Sequence, residues 1–131
     1  MMRMSEEKAK EIAKSLNYRW PDNTVVAVAQ EFQSGKVLMV GSMNEEAVIK
    51  TLTTGIVHYW SKSRKELWVK GSTSGQVQVL MKFYVDCDRD SVLLIVKQAL
   101  LRACHEGYHS CFHYKVTEKG IEVEEEGPRF T

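Results

Sequence analysis

The sequence predicts a strand-dominated α+β domain with two helices, and three observations carry that prediction. From Thr24 onward, β-branched and aromatic residues collect in short runs. Those runs are divided by glycine, asparagine and aspartate turn signals. Two segments with apolar residues at helical spacing carry capping residues at their ends. The 131 residues fit one domain, long enough to bury a core without disulfide staples.

Taken in order, Ser5 caps a first helix, and Glu6 and Glu7 lie in its first turn, where the macrodipole favours acids. Ala9, Ile12, Ala13 and Leu16 give that helix its apolar face. Pro21-Asp22-Asn23 marks a turn. Thr24 to Gln33 and Lys36 to Met43 read as a hairpin about Ser34-Gly35. Asn44 caps a second helix with Glu45 and Glu46 in its first turn, and Gly55 stands where a C-terminal glycine belongs. Val57 to Trp60, Leu67 to Lys70, Gln76 to Val85 and Val92 to Gln98 read as strands. Gly71 to Gly75 is a small, polar loop, Asp86 to Ser91 an acidic turn, and Ala103 to Ser110 a loop. Phe112 to Thr117 and Ile121 to Glu125 pair around Lys119-Gly120.

Composition narrows the function. Lys plus Arg number 18 and Asp plus Glu 17, so the net charge of +1 offers no global attraction to nucleic acid or membrane. No run approaches the roughly 18 apolar residues of a membrane span, and the charged N-terminus has no signal-peptide pattern. A cytoplasmic protein is therefore expected, with reduced thiols.

The three cysteines, Cys87, Cys104 and Cys111, are spaced C-x16-C-x6-C. That is not the C-x2-C pattern of a zinc finger, and three small buried hydrophobes are the plain alternative. Their neighbours favour metal. Cys104 precedes His105, and Cys87 sits within Asp86-Cys87-Asp88-Arg89-Asp90, where a dry core is a poor home for three carboxylates. Three thiolates are one ligand short of a closed structural zinc site, and a fourth position left to water is the arrangement of catalytic zinc. In an extended segment Asp86, Asp88 and Asp90 share one face, a hard-cation set for magnesium or calcium, although the spacing is not that of an EF-hand. A solvated turn is the alternative. His105 or His109 stands as a fourth ligand, a general base or neither. His58, among apolar neighbours, reads as a satisfied core residue. Ser61-Lys62-Ser63-Arg64-Lys65 and Lys70-Gly71-Ser72-Thr73-Ser74-Gly75 supply hydroxyls, amides and cations of the kind phosphate needs, without a Walker pattern. Trp20, Trp60 and Trp68 suit base stacking or, more commonly, core packing.

These segments fall in one order: Met43-Asn44-Glu45-Glu46-Ala47, His58-Tyr59-Trp60-Ser61-Lys62-Ser63-Arg64, Leu67 to Gly75, Asp86 to Asp90, Ala103-Cys104-His105 and Ser110-Cys111-Phe112. In that order they resemble phosphoribosyl-AMP cyclohydrolases of histidine biosynthesis, over residues 18–115 of what reads as a single 1–131 domain. The resemblance implies hydrolysis of the N1–C6 bond of the adenine ring of 1-(5-phosphoribosyl)-AMP, giving the ring-opened formimino-carboxamide ribonucleotide. It implies zinc on Cys87, Cys104 and Cys111, magnesium on Asp86, Asp88 and Asp90, and proton transfer by His105. Ser61, Ser63, Arg64, Thr73, Ser74, Gly75 and His109 are the expected substrate contacts. The implied fold is a barrel-like antiparallel sheet with capping helices in an intertwined homodimer. Its zinc is shared: Cys87 comes from one subunit, and Cys104 and Cys111 from the other.

The chain departs from the family pattern in four places. Tyr108-His109 replaces a basic pair, Arg89 stands where a glycine is usual, and Leu101-Arg102 occupies a stretch where a glycine commonly lies. Gly41-Ser42 replaces a larger pair. A further domain fused behind the cyclohydrolase is not expected. Two other functions compete: a zinc-tied, non-catalytic dimer module with a fourth protein ligand, and an RNA-binding domain using Trp60, Trp68 and the basic turn, which the near-zero charge disfavours.

Overall fold

The computed structural model describes residues 1–71, 77–98 and 110–124. Helix α1 (Glu6–Lys14) starts where Ser5 Oγ accepts the Lys8 N–H at 3.2 Å. A turn at Pro21–Asn23, closed by the Trp20–Thr24 bridge, leads into the hairpin of β1 (Val25–Glu31) and β2 (Val37–Met43). Helix α2 (Glu45–Thr54) is capped by Asn44, whose Oδ1 accepts the Ala47 N–H at 2.9 Å, and ends at Gly55 in the left-handed region. Strands β3 (His58–Ser61) and β4 (Glu66–Val69) form a separate ribbon. Strands β5 (Gln78–Val85) and β6 (Ser91–Gln98) flank the acidic turn, and β7 (Tyr114–Thr117) and β8 (Gly120–Val123) make the last hairpin. The predicted elements are therefore found nearly where the sequence places them. Of the predicted loops, residues 72–75 and 103–109 lie outside the described residues.

The main sheet has the order β2-β1-β6-β5. Its inward face buries Ala27 and Ala29 of β1, Val92, Leu94 and Val96 of β6, Leu80 of β5 and Met43 of β2. These share one core with Ala9 and Ala13 of α1, Val48 and Leu52 of α2, and Tyr59 of β3. Alternation along β1 and β6 leaves Val28, Leu93 and Ile95 only partly covered on the outward face.

Two expectations change. The sheet is mixed, not antiparallel, because β1 and β6 run parallel from Val26↔Ser91 to Glu31↔Val96. Among the described residues the strands form one open four-stranded sheet and two ribbons, without barrel closure. Residue pattern marks a strand and its buried face, but not the direction of a partner sixty residues away.

Candidate metal centre

The acidic run is a tight turn between β5 and β6. Asp86 Oδ1 accepts the N–H groups of Asp90 at 3.1 Å and Ser91 at 3.2 Å, and the Arg89 N–H closes on the Asp86 carbonyl. Arg89 adopts φ 63°, in the left-handed region that glycine enters more readily than arginine. That left-handed step breaks the alternation an extended segment would have, so the expected common face of Asp86, Asp88 and Asp90 does not form. Asp86 and Asp88 are exposed. Asp90 is 6% exposed and receives Arg19 Nη1 at 3.4 Å. Among the described residues, no group of three His, Cys, Asp or Glu side chains is gathered to hold a metal ion.

Cys87 projects from this turn and is exposed, its Sγ donating to Asp88 Oδ1 at 3.0 Å. That hydrogen bond, with the charges of Asp88 and Asp86, pushes the thiol pKa up from its ordinary value. Cys111, also exposed, is fixed differently: its N–H donates to the Leu38 carbonyl at 2.7 Å on the outer edge of β2. Buried Ser110 anchors the same stretch, donating to the Val37 carbonyl at 2.6 Å. Beneath lie Tyr59 and Gln78, joined by a 2.6 Å hydrogen bond from the phenol to Oε1. Burial pushes the Tyr59 phenol pKa up, and the charge of Cys111 adds to the effect.

The register separates the two cysteines. Val85, Val92, Ala27 and Gly41 form one row across the four strands. Cys87 lies two residues past that row in one direction, and Leu38, the anchor of Cys111, three residues past it in the other, because β2 and β5 point the same way. Five residues of rise and three strand spacings place the two corners about 20 Å apart. Two sulfurs on one zinc ion are within about 4 Å of each other. Cys87 and Cys111 of one chain therefore cannot meet on one ion without dismantling the sheet. As donors they fit zinc only if a second copy supplies one of them.

Ser61 ends β3, and Ser63 and Arg64 lie in the turn that leads to β4. Ser61 Oγ lies 3.3 Å from Ser63 Oγ and accepts the Arg64 N–H at 3.2 Å, while the Arg64 side chain is exposed. Thr73, Ser74, Gly75, Cys104, His105 and His109 lie outside the described residues. His58 is indeed locally satisfied: its Nδ1 lies 2.8 Å from the Ile56 carbonyl.

The residue-by-residue reading missed the segment that links the two turns. Trp20 Nε1 donates to the Asp90 carbonyl at 3.2 Å, and Arg19 reaches the Asp90 side chain. Three residues on, Asp22 receives Lys65 Nζ at 2.6 Å and Trp60 Nε1 at 3.0 Å. Its pKa is lowered, first by the Lys65 hydrogen bond and then by that from Trp60. Contacts between residues 38 to 71 positions apart leave no local signal in a sequence.

Comparison with known proteins supplies the remaining constraint. Residues 39–113 match the family model for phosphoribosyl-AMP cyclohydrolase. The chain is similar to the phosphoribosyl-AMP cyclohydrolase of Ignicoccus hospitalis, 81% identical over 125 residues that cover 95% of this chain and 97% of the relative. It is 49% identical to the Sulfurisphaera tokodaii enzyme of the same name over 112 residues, covering 86% and 94% of the two. With the Methanocaldococcus jannaschii enzyme it shares 57% over 91 residues, covering 70% and 71%.

Proposed function

This chain belongs to the phosphoribosyl-AMP cyclohydrolase family, and from that premise we propose that it opens the adenine ring of 1-(5-phosphoribosyl)-AMP at the N1–C6 bond with a zinc ion held between two copies of the chain. The observation that carries the shared centre is the separation of about 20 Å between the Cys87 and Cys111 corners. Cys87 of one subunit, with Cys104 and Cys111 of the other, makes a three-thiolate set. When bound, zinc supplies Lewis acidity that makes water nucleophilic at neutral pH.

The chain's own groups do the rest. The ribosylated ring carbon C6 is an amidine-like electrophile, and breaking its bond to N1 requires a proton at the departing nitrogen. His105, beside Cys104, is the group we assign to that transfer. Arg64, on an exposed turn with Ser61 and Ser63, supplies charge and donors for phosphate. Thr73, Ser74, Gly75 and His109 complete the phosphate contacts in this reading. Magnesium on Asp86, Asp88 and Asp90 is its last part. It requires Asp90 to exchange Arg19 for the cation, and rests on carboxylate chemistry alone. The working unit is a cytoplasmic homodimer that acts on a small nucleotide. Among the described residues, no helix is long and apolar enough to cross a membrane.

The test follows ring opening of phosphoribosyl-AMP by ultraviolet absorbance. Zinc-loaded protein turns over, a zinc chelator abolishes the rate, and zinc restores it. Added magnesium then raises the rate of protein freed of it. Folded, zinc-replete protein without turnover would end the proposal.

A further inference from the structure

Asp22 stands in the turn that leads into β1, and that turn is closed on itself. The backbones of Trp20 and Thr24 exchange two hydrogen bonds at 3.2 Å, and Thr24 Oγ1 donates to the Pro21 carbonyl at 2.9 Å. Thr24 is fully buried just before the main sheet begins. Asp22 has φ 68° and Asn23 φ 54°, left-handed conformations that these two residue types enter more readily than most.

Against Asp22 lies the tip of the β3–β4 ribbon, Trp60 to Lys65. Lys65 Nζ donates to both Asp22 carboxylate oxygens at 2.6 Å, and Trp60 Nε1 donates to Oδ2 at 3.0 Å. Lys65 has φ 55°, a strained conformation for lysine that persists where the surroundings over-determine it. Its N–H donates to the Ser61 carbonyl at 2.8 Å, and Ser61 Oγ accepts the Arg64 N–H at 3.2 Å, so Arg64 rides on a turn whose last residue is fixed. A two-stranded ribbon is marginal by itself. Among the described residues, the side-chain hydrogen bonds from this tip to the rest of the chain end on Asp22. The same connector braces the turn that carries Cys87. Arg19 Nη1 reaches Asp90 Oδ2 at 3.4 Å, Trp20 Nε1 donates to the Asp90 carbonyl at 3.2 Å, and the Asn17 N–H donates to the Arg89 carbonyl at 2.7 Å. One short stretch, residues 17–22, therefore holds both turns.

We propose that Asp22 is a positioning residue of the enzyme, holding the ribbon tip so that Arg64, Ser61 and Ser63 meet a substrate phosphate at a fixed place relative to the Cys87 turn, an assignment that rests on the reading of this tip as a phosphate site. Lys65 spends its charge on Asp22, while Lys62 and Arg64 remain exposed cations. The nearest carboxylate to Arg64 is that of Glu66, 4.0 Å away on an equally exposed side chain, so the guanidinium is open to an anion. A bare carboxylate near a phosphate would repel it, but Asp22 is neutralised by Lys65 and serves as an anchor without that repulsion. Bidentate capture of phosphate by a guanidinium is directional, and a displacement of about 1 Å is enough to weaken it. The anchor thus acts on the substrate through the tip, not by touching it.

The experiment is a double-substitution cycle on ring opening of 1-(5-phosphoribosyl)-AMP by the zinc-loaded protein, with circular dichroism and thermal melting to verify folding at the assay temperature. Asp22→Asn keeps the side-chain shape and removes its charge. We expect it to raise KM by about 10-fold while kcat stays within about 2-fold, the signature of lost ground-state binding. Arg64→Ala should raise KM by a similar factor. Combined, the two should stay near about 10-fold instead of reaching their product of about 100-fold, because Asp22 acts through the tip that carries Arg64. A combined effect equal to the product overturns the proposal, since a general loss of stability would add to the loss of Arg64. A raised KM for Arg64→Ala beside an unchanged KM for Asp22→Asn removes the role of Asp22 alone. An unchanged KM for Arg64→Ala overturns the phosphate reading of the tip and this assignment with it. If Asp22→Asn does not fold, Lys65→Met cuts the same ion pair from its exposed side and takes its place in the cycle, with the same outcomes for and against.

Discussion

Gly41 has no side chain, and Tyr59 occupies the space one would fill. A Cβ there would stand 2.7 Å from Cδ1 and 2.9 Å from Cε1 of the Tyr59 ring. The ring cannot easily yield, because its hydroxyl is bound to Gln78 and its face stacks on Trp68 at 5.1 Å. Gly41→Ala should therefore destabilise the fold by about 1–3 kcal/mol, the usual penalty of overpacking. A lower denaturant midpoint at constant slope would show it. The departure at Gly41-Ser42 is thus a local bargain between two residues that are not adjacent in sequence. Asp22 makes a different kind of prediction. Its pKa is lowered in the fold, so its stabilising contribution is present above the ordinary carboxylate value of about 4 and fades as pH falls through the depressed folded value. Asp22→Asn should lower the melting temperature at neutral pH, and the gap from the unchanged protein should close in acid. A gap that persists at the acid end would contradict the Lys65 and Trp60 contacts as its cause.

At the scale of elements, the helix ends were the most legible part of the sequence, because capping is decided within three or four residues. Ser5, Asn44 and Gly55 do what their types suggest. Asn44→Ala should cost about 1 kcal/mol in chemical denaturation, since it strands the Ala47 N–H at the start of α2. The hairpin turns and most strand limits were readable for the same reason. The acidic run shows where that reading stops. Alternation of Asp86, Asp88 and Asp90 implied a shared face only for an extended backbone, and the left-handed Arg89 is set by the turn as a whole. The links from Arg19 and Asp22 to Asp90 and Lys65 were equally hidden, being products of how strands come together.

For the molecule as a whole, the placement of Cys87 and Cys111 on opposite corners of the sheet was not legible in the sequence. That placement follows from the parallel β1–β6 pair, which no local pattern announces. It yields a prediction about assembly. Cys87→Ala and Cys111→Ala should each be inactive alone, yet mixing the two after unfolding should restore about a quarter of the normal activity. Half of the pairs are then mixed, and each mixed pair rebuilds one of its two centres. A mixture as dead as its parents would place the metal within one chain. The same parallel pairing also governs how the protein is made. Strand β1 ends at Glu31, but the strand that fills its second edge begins only at Ser91. A ribosome adding about 5–20 residues per second needs several seconds to cross that interval. Throughout it, the β1–β2 hairpin offers the open backbone edge of Val26 and Val28 to any extended chain nearby, so crowding of nascent copies, rather than instability of the finished enzyme, sets the main aggregation hazard of its synthesis.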